Sequence, residues 1–281
     1  MSVLVIGGSG YLGSILTDEL INNNYEVIIL DLNTPINKAI KFIKGDIRDR
    51  DILEKTIRDV DYLIHIAAIV GDAACNKDPQ QAVETNYLGT KKIAEVCKDY
   101  KIKKAIYAST CSVYGIKLDI CDENTEPEPF SLYGITKLAG EREILKLNDN
   151  AIVFRMATLF GMSPKMRYDL VVNEFIKKAK IEGRISVFGG KQKRPFLHIR
   201  DAAKAYVMSL EKNVNGVFNL SSINLSINEL AGIIAEKTGC KMEFFEQITD
   251  KRSYYVSCEK ARKILGFNPI RTIYDAIEEI K

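Results

Sequence analysis

VLVIGGSGYLGSILTDEL, residues 3–20, is the stretch whose reading decides the fold. Residues 3–6 form an unbroken apolar run of the kind buried inside a parallel sheet, and Ile15, Leu16 and Leu20 continue at helical spacing. The glycine-rich turn between them feeds a helix N-terminus, an arrangement suited to a pyrophosphate. In this reading Gly7 allows the turn, Gly10 lets backbone N–H groups approach the phosphates, and Gly13 lets the helix pack on the strand.

Outward from that turn, apolar strand candidates recur at 3–6, 26–30, 40–43, 62–66, 104–108 and 151–154, with helical patterns such as 80–99 and 134–147 between them. The alternation predicts an α/β fold, a Rossmann-type doubly wound parallel sheet. After Arg155 the texture changes. Gly161, Pro164, Gly183, Gly189, Gly190 and Pro195 break the chain into short pieces around one helix at 169–181. The expected division is a dinucleotide-binding domain of residues 1–155 plus 195–215, the latter containing a returning helix at 198–211. A smaller C-terminal substrate-binding region comprises 156–194 plus 216–281, with a last helix from Ile273.

The chain has 281 residues, 40 basic and 37 acidic, for a net charge of +3, which gives no footprint for nucleic acid or for an anionic membrane. No stretch approaches the roughly 20 apolar residues of a membrane span, so the expectation is a cytoplasmic protein. The six cysteines include no C-x-x-C pair, and His65 and His198 are the only histidines. A metal site or a histidine-based triad is therefore not expected.

Asp31 ends the second strand candidate, where a dinucleotide fold places the carboxylate that accepts the adenosine ribose hydroxyls. A carboxylate repels a 2′-phosphate, and Leu32, Asn33 and Thr34 offer no arginine for one, so the expected cofactor is NAD rather than NADP. Asp46, in KGDIRD, is placed to meet the adenine amino group. Two further stretches carry the chemistry, ASTCSVYG at 108–115 and YGITK at 133–137. Tyr133 and Lys137 share one helix face. A phenol near pKa ~10 is a poor base at neutral pH, and a neighbouring ammonium favours its phenolate. Thr110 adds a neutral hydroxyl for a reacting oxygen.

GGSGYLG, Asp31, GDI, HIAA at 65–68, TNYLGT at 85–90, STCSVYG, SLYGITK and RPFLHIRDAA together resemble the extended short-chain dehydrogenase/reductases, specifically the NAD-dependent nucleotide-sugar epimerase/dehydratase family of the UDP-glucose 4-epimerase kind. The resemblance runs almost the whole length. It implies catalytic positions for Thr110, Tyr133 and Lys137, and cofactor-binding positions for Gly7, Gly10, Tyr11, Leu12, Gly13, Asp31, Asp46, Ile47, Ala67, Ala68, Asn86 and Ser109, with Tyr133 and Lys137 also touching the cofactor. It implies substrate-binding positions for Thr110, Asn173, Arg194 and Arg252, a nucleotide-diphosphate sugar as substrate, and a homodimer using the helices near 80–99 and 134–147.

The chain departs from the family in three places. Dehydratases of the family carry Asp-Glu directly after the catalytic threonine, whereas Cys111 and Ser112 stand here, which disfavours elimination of water. Gln247 replaces an arginine that meets the diphosphate, with Arg252 five residues later, and Asp169 takes the place of an asparagine, with Asn173 nearby. The preferred reaction is epimerisation at C4 through a transient 4-keto sugar. The alternatives are a NAD(P)H-dependent 4-ketoreductase of a nucleotide deoxysugar and, from another class, a non-catalytic NAD or sugar-nucleotide binding protein.

Overall fold

Val3, Leu4, Val5 and Ile6 are all fully buried, as a strand covered on both faces must be, and β1 (Ser2–Ile6) accordingly runs through the middle of the main sheet. The structure, a computed structural model, describes residues 1–100, 102–248 and 250–281. From β1 the chain passes through α1 (Tyr11–Asn22) into β2 (Glu26–Asp31), β3 (Lys41–Lys44), α2 (Arg50–Ile57) and β4 (Tyr62–His65). Next come α3 (Asp72–Lys77), α4 (Pro79–Val83) and α5 (Thr90–Asp99), the last two joined by a π-helical stretch, Glu84–Gly89. β5 (Lys104–Thr110), β6 (Ile116–Cys121), α6 (Leu132–Leu145) and β7 (Ala151–Met156) follow.

The second half contains β8 (Thr158–Phe160), α7 (Val171–Glu182), β9 (Arg184–Phe188), β10 (Lys193–His198), α8 (Ile199–Ser209), β11 (Gly216–Leu220), β12 (Ile223–Ser226), α9 (Ile227–Thr238), β13 (Lys241–Phe245), β14 (Ser253–Val256) and α10 (Ile273–Glu279). The main sheet has seven strands in the order β3-β2-β1-β4-β5-β7-β11, all paired in parallel. This is the doubly wound architecture expected from the sequence. Its strand order reverses between β1 and β4, so a crevice for ligand lies at the C-terminal ends of those strands.

Local chemistry sets the helix starts. The Ser131 hydroxyl accepts from the Gly134 N–H at 3.2 Å and opens α6, while Ser226 with Glu229 and Thr272 with Asp275 form capping boxes on α9 and α10. α1 is different: its N-cap is Gly10, with no side-chain cap. Its first N–H groups are thereby left free for a ligand.

The smaller region builds its own core from residues such as Phe160, Phe175, Ile176, Phe196, Leu230 and Ile277. Its strands form a three-stranded sheet, β12-β10-β8, and the pair β13–β9. Three segments differ from expectation. Residues 216–220, assigned from sequence to the smaller region, pair with β7 from Gly216↔Ile152 to Leu220↔Met156 and form an edge of the main sheet. Ala261, Leu265 and Phe267 likewise enter the core that contains Val3, Ile29 and Phe154. Conversely, residues 193–198, whose greater part was assigned to the nucleotide half, pair with β8 and β12. The cause is burial: Phe218 and Leu220 are almost wholly covered where they meet the main sheet, and Phe196 is fully covered in the smaller core.

Candidate active site

The glycines of the first turn have separable causes. Gly7 has φ +93°, and a Cβ there would stand 2.6 Å from the Ala67 backbone nitrogen. A Cβ on Gly13 would stand 2.6 Å from the carbonyl carbon of Gly8, so the helix could not close onto the turn. Both are demanded by the chain itself. Around Gly10 the chain leaves room, the nearest atom to a Cβ being the Gly7 carbonyl oxygen at 3.6 Å. Open space beside an uncapped helix N-terminus fits the pyrophosphate of NAD. Asp31, at the end of β2, accepts from the N–H groups of Ser9 at 3.0 Å and Asn33 at 2.9 Å. A carboxylate has about four lone-pair sites, so two remain for ribose hydroxyls. The donor set fits the cofactor.

The neighbouring strand ends complete the crevice. Asn86 lies in the π-helical stretch, fully buried, and its amide clamps the loop after β4 by accepting from Ile69 N–H at 2.8 Å and donating to Ile69 carbonyl oxygen at 2.9 Å. It therefore fixes the segment that carries Ala67 and Ala68. Ser109 is tied back into the protein, donating to the Glu141 carboxylate, while Thr110 ends β5 and its hydroxyl accepts from the Ser112 N–H at 3.1 Å. Two expected cofactor residues are otherwise engaged. Ile47 is buried in the core formed with Leu30, Leu53 and Ile93. Asp46 is held by the Arg48 guanidinium at 2.7 Å, and that pairing holds its carboxyl below the usual range.

Tyr133 and Lys137 project from α6 and are both almost wholly buried. Burial pushes the Tyr133 phenol up to about 12, opposed by the charge of Arg252, a hydrogen bond with Thr110 and the charge of Arg167. Burial also brings the Lys137 ammonium down to about 7, with Glu141 working in the opposite direction. Arg252 is thus a cation acting on the phenol in addition to the Lys137 expected from its spacing. Lys137 Nζ stands 4.1 Å from the centroid of the Tyr107 ring.

The expected substrate residues divide. Arg252 reaches the site: it donates to Ser112 Oγ at 2.8 Å, pairs with Asp250 at 2.6 Å and lies 3.6 Å from Asp72. Arg194 pairs with the same Asp250 at 2.9 Å. Burial raises the Asp250 pKa, but Arg252 and then Arg194 outweigh it and bring that carboxyl to about 2. Asn173 is fully buried and saturated, accepting from Gly161 N–H at 3.0 Å and donating to Tyr11 Oη and to the Arg167 carbonyl oxygen, each at 3.0 Å. Tyr11 in turn donates to the Gly161 carbonyl oxygen at 2.7 Å. These two side chains hold the turn after β8, and every N–H and O–H donor of either is used there. Leu12 is half-buried, packed against the main core.

Sequence reading did not single out Tyr107, Arg167, Asp250 or Asp72 for the site. Each reaches it through a fold contact rather than through a local motif. Among the described residues, no group of three or more His, Cys, Asp or Glu side chains is placed to hold a metal ion, and no helix is long and apolar enough to cross a membrane.

Comparison with known proteins matches residues 3–221 to the NAD dependent epimerase/dehydratase family. A putative UDP-glucose 4-epimerase of Methanocaldococcus jannaschii is 34% identical across 99% of this chain and 96% of its own. UDP-glucose 4-epimerase from Thermotoga maritima, solved with UDP-glucose, has the same fold with a TM-score of 0.90 at 27% identity, over 100% of this chain and 97% of that one. UDP-glucuronic acid 4-epimerase from Bacillus cereus, solved with UDP-glucuronic acid and NAD, gives 0.88 at 31% identity, over 100% and 98%.

Proposed function

The chain belongs to the NAD dependent epimerase/dehydratase family, and from that premise we propose that it epimerises a UDP-sugar at C4 through a transient 4-keto sugar. The observation that carries this reading is that Ser112, just beyond the end of β5, is shared by the Thr110 hydroxyl, which accepts from its N–H at 3.1 Å, and by Arg252, which donates to its Oγ at 2.8 Å, with the Tyr133 phenol buried on α6. Bound NAD supplies a hydride acceptor and donor, held by the turn at residues 7–13 and by Asp31. Tyr133, as phenolate, takes the proton of the C4 hydroxyl and later returns one. Thr110 hydrogen-bonds the same oxygen as it passes between alcohol and ketone. Arg252 and the Lys137 ammonium favour the phenolate.

Cys111 and Ser112 stand where water elimination would need an acid and a base, and the Ser112 hydroxyl is occupied by Arg252, which supports epimerisation over dehydration. Arg194 and Arg252 are the cations closest in kind to what a diphosphate requires, both already gathered on one carboxylate.

The test is to denature the purified protein, assay the released nucleotide, and follow UDP-glucose by NMR for formation of UDP-galactose. Stoichiometric NAD(H) and interconversion are expected. A protein that emerges without nucleotide and consumes NADPH with a 4-keto sugar nucleotide is a reductase, and the proposal fails.

A further inference from the structure

Lys137 is a cation with little water around it, so something in the protein must make its charge tolerable. We infer that the ring of Tyr107 is the seat of the Lys137 ammonium, which makes Tyr107 a positioning residue for the reaction. The inference rests on the proposed role of Lys137.

The geometry is direct. Nζ lies 4.1 Å from the ring centroid, inside the roughly 6 Å over which the negative face of an aromatic ring attracts a cation. The ring is also fixed. Tyr107 is fully buried in β5, in register with His65 of β4, whose ring leans on it at 5.3 Å and 41°. At its hydroxyl end, a Cβ on Gly140 would stand 2.9 Å from Tyr107 Cζ, so the missing side chain at Gly140 lets α6 lie against the ring.

Among the chain's own side chains, the remaining groups around Lys137 leave the ring this role. On its own helix, Tyr133 has its phenol pushed up to about 12, by burial first. Glu141 favours the ammonium, but its carboxylate is tied to the Arg155 guanidinium at 3.0 Å and accepts from Ser109, so much of its charge is already answered. From α3, Cys75 is a buried thiol whose pKa is raised, by burial first. From β4, His65 is kept neutral, its pKa lowered well below its usual value by burial and then by Lys137 itself. A cation–π contact stabilises only the charged lysine, so its loss lowers the Lys137 pKa further.

The test replaces Tyr107 with phenylalanine in the NAD-loaded full chain and then with phenylalanines bearing two and three ring fluorines, which drain the ring face while nearly preserving its shape. The first readout is titration of Lys137 Nζ by ¹⁵N NMR, assigned by the signal missing in Lys137→Met. The second is the alkaline limb of the kcat profile with UDP-glucose. Both are expected to move to lower pH with each fluorine, by about 0.5 to 1.5 pH units across the series. A midpoint that stays fixed overturns the inference, and the titration decides even where UDP-glucose is not turned over. If Lys137→Met keeps full turnover, the proposed role of Lys137 has failed. If it is inactive while the fluorine series stays flat, the seat alone has failed.

Discussion

The hydroxyl of Tyr11 and the side-chain amide of Asn173 are hydrogen-bonded at 3.0 Å, joining the first helix of the nucleotide half to the helix of the smaller region. Both residues resemble ligand contacts in the sequence, and both fasten the turn that carries Gly161 and Ser163. Asn173→Ala therefore strips buried partners from Tyr11 Oη, Gly161 N–H and the Arg167 carbonyl oxygen. It should destabilise the protein by roughly 1–3 kcal/mol or more in urea unfolding, since unsatisfied buried groups carry that cost.

The two explanations for the glycines predict opposite behaviour at Gly10 and Gly13. Gly10→Ala should leave the melting temperature without cofactor nearly unchanged and weaken NAD binding in a titration, because the space it fills belongs to the ligand. Gly13→Ala should lower the melting temperature by itself, because its methyl would press on the carbonyl carbon of Gly8 at 2.6 Å.

Tyr133→Phe removes the proposed proton acceptor and keeps the ring, so turnover should fall by at least the roughly 10²–10⁴-fold attributed to a general base. Urea unfolding should show little change. Thr110→Val should also cost turnover while the purified protein keeps its NAD. Wild-type turnover by Tyr133→Phe on every sugar nucleotide accepted by the parent would refute the mechanism.

Lys137 links pH to stability with a definite sign. Its pKa falls from 10.5 in the unfolded chain to about 7 in the folded one, so between those values the unfolded state binds more protons and stability rises with pH. Lys137→Met should be the more stable protein at pH 7, by an amount on the order of a few kcal/mol, and the gap should close as pH approaches 10.5. The same substitution should lower turnover, with partial recovery at high pH as the Tyr133 phenol ionises unaided.

What could be read from sequence is what short spacing determines. The apolar run into glycines, the strand at 104–108 leading towards Thr110, and the shared face of Tyr133 and Lys137 are each local patterns, and the parallel sheet followed from the alternation of strand and helix candidates. The contacts that set the charges of the site do not. Tyr107 meets Lys137 through packing of β5 against α6, and Arg252 meets Ser112 across 140 positions of sequence. β11 escaped notice because it opens on Gly216 and carries Asn219, whose side chain is satisfied by Tyr114 Oη at 2.8 Å and by the Ser257 carbonyl oxygen at 3.1 Å. The tie of Asp46 to Arg48, two residues away, is local and still carries no signature in the sequence.

The return of residues 216–220 to the main sheet bears on how the chain can be divided. A fragment ending at 215 would carry β7 with its outer backbone groups bare, and Phe154 would lose Phe218, whose ring centroid lies 6.5 Å from its own. An uncovered apolar strand edge recruits other chains, so such a fragment should aggregate rather than fold. Restoring 216–220 alone would still omit Leu265 and Phe267, which close the same core. The two halves are threaded through each other, and they must fold as one piece.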